Sequence, residues 1–218
     1  MSLPIDRELT QARVPFSNAG RQGIAEGLAV VGYTPDRRAA DLELLEETQD
    51  ARQDQLSAQG EQKRLTADVN AAQKVARDNL SAFRKILKAA DRIYPEAHLL
   101  TRLGLEKALA GSSLGKLVIT TTTAYEKALT EADILEITGE FGYGMERLPA
   151  LLAQVEALVA LDQEQEVAKG RAQGATDAFY KLMDRLRNAR AALRELAQVA
   201  FADTPQVLEE LGLGTVRR

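Results

Sequence analysis

The chain contains no cysteine, no tryptophan and one histidine in 218 residues. The missing thiols exclude disulfides, thiolate metal sites and a cysteine nucleophile together. His98 alone supports neither a Ser-His-Asp order nor a metal cluster of the usual kind. A Glu-x-x-His carboxylate motif is also absent, because position 95 is Pro95, and a ferritin-like di-iron centre goes with it. His98 therefore reads as a surface or helix-end residue. No catalytic, cofactor-binding or metal-binding residues are expected.

Aromatics are 5% of the chain, too few for the Tyr-rich and β-branched strands of a sandwich. Charge of one sign is missing too: 28 Lys and Arg are mixed with 32 Asp and Glu for a net −4, so no field gathers a phosphate backbone and no nucleic-acid partner is expected. No apolar stretch reaches the ~18 residues of a spanning helix. The start, Met1-Ser2-Leu3-Pro4-Ile5-Asp6-Arg7, lacks a basic opening followed by an apolar run, so no signal peptide is read. The expected compartment is the cytoplasm, although signal-independent secretion would leave the same sequence.

What is present is Ala, Leu, Glu, Gln, Arg and Lys in the proportions of long helices, on a chain long enough for a real core. Self-similarity is the most informative feature. Gly32-Tyr33-Thr34 recurs as Gly142-Tyr143-Gly144, an offset of 142 − 32 = 110. Leu99-Leu100-Thr101-Arg102-Leu103-Gly104-Leu105 recurs as Val207-Leu208-Glu209-Glu210-Leu211-Gly212-Leu213, an offset of 212 − 104 = 108. Gly60 and Gly170 pair at 110 as well. The predicted fold is all-α, an up-and-down helical bundle built from an internal duplication, with two long helical hairpins plus short end helices. Its expected divisions are an N-terminal segment 1–18, repeat 1 at 19–105, a linker 106–121, repeat 2 at 122–213 packed with repeat 1 as one bundle, and a tail 214–218.

Each repeat opens on a short helix, 19–31 or 122–141, ended by the glycine before Tyr. Thr34-Pro35-Asp36 then supplies an N-cap hydroxyl, a first-turn proline and a first-turn acid. Ala39, Leu42, Leu45 and Leu56 share one face, as do Leu148, Leu152, Val155 and Val159. Beyond them the chain turns polar and weak burial is expected, with Gly60 and Gly170 as the turns. The returning helix carries a seam through Val69, Ala72, Ala76, Leu80, Phe83, Leu87, Ala90 and Tyr94. Its counterpart runs through Ala175, Phe179, Leu182, Leu186, Leu193, Ala197 and Ala200. Helices of this kind are roughly 40 to 50 Å long. Short helices opening at Pro95 and at Thr204-Pro205 lid the bundle. In the linker, Gly111-Ser112-Ser113 marks loop, and the β-branched run from Leu117 to Thr123 reads as extended chain.

The remaining polar groupings have plain readings. Glu46-Glu47, Glu209-Glu210 and the acidic mixture at 162–166 are solvated helix faces rather than paired catalytic carboxylates. Gly20, Gly23 and Gly27 fit neither a dinucleotide nor a P-loop pattern, and Gly23 and Gly27 suit close helix packing. Tyr33 and Tyr143 recur at equivalent places, which favours a structural duty. The function expected is that of a non-enzymatic interaction or scaffold protein with a protein partner or self-association as a homodimer. Two alternatives are weighed: a membrane-acting, pore-forming-like bundle using 114–119 or the Gly-rich first helix, and a small-ligand-binding bundle with a pocket between the repeats.

Overall fold

The computed structural model of the protein describes residues 5–107 and 112–214. These residues form eight α-helices and one 3-10 turn, with no strand among them, so the chain is all-α. In order they are α1 (Ile5–Asn18), α2 (Ile24–Val30), α3 (Pro35–Ile93), the turn Pro95–Ala97, α4 (Leu99–Arg102), α5 (Leu114–Thr130), α6 (Ala132–Glu140), α7 (Arg147–Ala200) and α8 (Gln206–Glu210). The N-terminal residues 1–4, Gly111 of the expected linker and 215–218 of the tail lie outside the described residues.

Packing divides the chain into two compact units that cut across its sequence order. Unit 1 takes the chain up to Gln59 and from Gly170 onward; unit 2 is Gly60–Lys169. The core of unit 1 comes from Leu9, Ala12 and Phe16 of α1, Ile24 and Leu28 of α2, Leu44 and Leu45 of α3, Phe179, Leu186 and Leu193 of α7, and Leu208 of α8. The core of unit 2 comes from Leu117 and Tyr125 of α5, Ile134 of α6, Leu148, Val155 and Leu158 of α7, Leu80, Phe83 and Leu87 of α3, and Leu99 of α4. Each core therefore uses the opening part of one long helix and the closing part of the other.

The turns expected at Gly60 and Gly170 are absent. Both glycines lie inside uninterrupted helices of 59 and 54 residues. A glycine in a helix interior costs only about 1 kcal/mol against alanine. Its neighbours here, Ala58-Gln59 and Glu61-Gln62-Lys63 or Ala168-Lys169 and Arg171-Ala172, favour helix and offer no turn chemistry. The extended run is a second correction: Leu117 to Thr123 lies within α5. Thr121 is 1% exposed and returns its hydroxyl proton to Leu117 O at 2.7 Å, and Leu117, Thr121, Ala124, Tyr125 and Ala128 form one buried stripe. Burial of that stripe overrides the weak local preference of threonine.

Other boundaries shift as well. The segment up to residue 18 contains α1, whose Leu9, Ala12, Pro15 and Phe16 are buried. The helix expected over 122–141 breaks at Glu131, which is extended (φ −91°, ψ 107°). Arg102 of α4 grips both sides of that break, pairing with Glu131 and with Asp133, the latter at 2.6 Å. That guanidinium holds the Asp133 carboxyl below its ordinary range. On the opening face of α3, Ala39 and Leu56 are exposed while Leu45, Thr48 and Gln55 point inward.

Nor are the polar stretches of α3 and α7 weakly buried throughout. Gln55, Leu65, Ala168 and Ala172 are each 4% exposed or less. In unit 1 the Gln55 amide donates to Thr176 Oγ1 at 3.3 Å; in unit 2 the Gln165 amide donates to Thr66 Oγ1 at 3.0 Å. The seam is in place: Val69, Ala76, Leu80, Phe83, Leu87 and Ala90 are buried, with Ala72 and Tyr94 packed against them.

Candidate functional site

One backbone device sets the ends of both units. After α2, Gly32 at φ 85° lets its own N–H reach Ala29 O at 3.1 Å and the Tyr33 N–H reach Leu28 O at 3.0 Å. After α6, Gly142 at φ 79° repeats both bonds, to Gly139 O and Thr138 O. The same pair of bonds follows Gly104 after α4 and Gly212 after α8. This is the Schellman termination, which satisfies the last carbonyls of a helix and calls for a left-handed residue. The repeated landmarks of the sequence are thus four copies of one helix stop.

The tyrosines after the first two stops are each 3% exposed. Tyr33 donates its hydroxyl to Asp41 Oδ2 at 2.9 Å, and burial pushes the phenol up while desolvation lifts Asp41 above the ordinary carboxylate range. The Arg37 guanidinium lies 6.0 Å from the Tyr33 ring centre, and that of Arg147 lies 4.1 Å from the Tyr143 ring centre. Each stop is therefore pinned onto the start of the long helix that follows.

These pinned ends display apolar side chains to solvent. In unit 1, Val30 at the end of α2 is 87% exposed and Val199 near the end of α7 is 70% exposed. A Cβ placed on Gly27 would lie 2.6 Å from the Phe201 ring, so α2 rests directly on the chain that leaves α7. Val30 lies three residues beyond Gly27 and Val199 two residues before Phe201, each exposed near one partner of that approach in sequence. In unit 2 the Tyr94 hydroxyl donates to Glu140 at 2.7 Å and joins the end of α3 to the end of α6. Ile93, just before Tyr94, and Met145, five residues past Glu140, are 61% and 67% exposed.

The polar residues singled out in the sequence are not brought together. His98 is exposed at the start of α4, in the left-handed region at φ 47°. Glu46, Glu47, Glu209 and Glu210 are exposed. Gly27 makes a close approach, whereas Gly23 serves a turn at φ 82° with open space around it. No group of three or more metal-ligating side chains occurs among the described residues. Sequence reasoning missed the Gln–Thr pairs, although 165 − 55 and 176 − 66 both equal 110 and were open to the same search. No family model, curated protein or solved structure matches the chain.

Proposed function

We propose that this protein is a non-enzymatic helical interaction protein, built from an internal duplication, that associates with a second copy of itself through the exposed corners of its units. Support for the duplication comes from recurrence: the helix stops, the Arg–Tyr contacts and the Gln–Thr bonds recur about 110 residues apart. In this reading each packed unit joins the first half of one repeat to the second half of the other.

The observation that carries the interaction reading is the 87% and 70% exposure of Val30 and Val199 on elements held by caps and close packing. Burying a valine side chain contributes about 1.5 kcal/mol or more, so the two are worth about 3 kcal/mol, roughly a hundredfold in affinity. The membrane-acting alternative has less to stand on. Leu117 of the 114–119 run is buried in α5, and among the described residues no helix is long and apolar enough to cross a membrane.

Light scattering across a concentration series tests the proposal. The scattering mass should rise above the 23.8 kDa of one chain, and Val30→Ser with Val199→Ser should move the midpoint up roughly a hundredfold. A mass fixed at one chain at every concentration would remove self-association and this reading with it.

A further inference from the structure

Unit 1 holds a half-open cleft of about 280 Å³ between α1 and the closing part of α7. Its floor is apolar, formed by Ala12, Met183, Leu186 and Leu213. Three arginines one turn apart on α7, Arg187, Arg190 and Arg194, line it. Arg187 is already committed: it holds Glu8 through two bonds of 2.7 and 2.9 Å and also touches Asp184 at 3.2 Å. Glu8 in turn sits below its ordinary pKa because of that bond. Arg190 also helps to lower the Glu8 pKa but makes no ion pair among the described residues, and neither does Arg194, so three cations line the cleft beside one lining carboxylate, Glu8.

The corresponding positions of unit 2 show what is unusual. Subtracting 110 from 187, 190 and 194 gives Arg77, Leu80 and Arg84. Arg77 donates to Ser112, and Arg84 donates to Leu105 O at 2.7 Å and to Glu106 O, so both guanidiniums are supplied with oxygen acceptors. Leu80 is a core residue, 4% exposed. Unit 1 replaces that leucine with Arg190 and, among the described residues, gives Arg194 no oxygen.

We propose that the unit 1 cleft binds a small organic anion with an apolar body, its oxyanion held by Arg190 and Arg194 and its body on Met183, Leu186 and Leu213. Guanidinium forks suit carboxylate and phosphate oxygens alike, and these charge-assisted bonds are the strong ones. The cleft lies at the small end of the range of ligand sites, so a compact ligand is implied. The site belongs to unit 1 alone and is separate from the exposed Val30 and Val199.

Titration calorimetry on the full chain tests this with octanoate and octyl phosphate, and with octanol and inorganic phosphate as controls. At least one of the two amphiphilic anions should bind saturably at one site, and both controls should bind at least tenfold more weakly, about one charge-assisted bond's worth. Whichever of the two binds more tightly identifies the oxyanion. Arg190→Leu, which installs the residue that unit 2 carries, and Arg194→Gln should each weaken binding about tenfold while the circular dichroism spectrum and melting curve show a folded chain. Absence of saturable binding, equal binding of inorganic phosphate and octyl phosphate, or unchanged affinity in both variants would overturn the proposal.

Discussion

Tyr125 is 1% exposed, and its hydroxyl finds no hydrogen-bond partner among the described residues. Burial drives its phenol pKa upward. A buried hydroxyl left unpaired costs about 1–3 kcal/mol, whereas the ring itself is well used, edge-on to Phe83 at 5.4 Å. Phe16 on α1 of unit 1 is fully buried without a hydroxyl, so a bare aromatic ring fills a core site elsewhere in this chain. Tyr125→Phe should therefore stabilise the protein by about 1 kcal/mol, raising Tm by roughly 2–4 °C in calorimetry. A fall of similar size would mean that the hydroxyl is satisfied.

At the scale of elements, glycine has two opposite meanings here. Gly142 stops α6 at φ 79°, where a side chain is strained, while Gly170 sits within α7 with nothing within 4 Å of a would-be Cβ. Gly142→Ala should destabilise by about 1 kcal/mol, and Gly170→Ala should stabilise by about 0.5–1 kcal/mol, read by denaturant unfolding. Shifts of the same sign would contradict the distinction. The distinction also marks how far the sequence could be read. The stops at Gly32 and Gly142 were legible because an apolar helix face, a glycine and a buried tyrosine agree. Gly60 and Gly170 were misread because a lone glycine carries no sign of whether its neighbours will hold the helix together. The seam from Val69 to Tyr94 was legible through its spacing, and α5 was not, since Thr121 becomes a core residue only when its hydroxyl folds back onto Leu117 O. The exposed corners had no sequence signal at all: exposure of Val30 or Val199 depends on what packs beside it.

At the scale of the whole molecule, all-α composition was legible and the partition was not. Matching landmarks about 110 residues apart suggest that each half of the chain packs on itself, yet unit 1 draws on residues before 60 and after 169 while unit 2 takes what lies between. Phe179 and Leu45 share one core, and Phe83 and Leu148 share the other. The Gln55–Thr176 and Gln165–Thr66 bonds do the same in polar form, each joining α3 to α7 within one unit. A chain cut between α4 and α5 would leave each fragment with half of two cores.

That cut is the most direct measurement. Fragments 1–107 and 112–218, made separately and then mixed, can be followed by circular dichroism and light scattering. The expected result is that neither alone melts cooperatively as a monomer, and that mixing restores one cooperative transition in a one-to-one complex. A fragment 1–107 that folds by itself as a stable monomer would contradict the exchange of halves between the two cores.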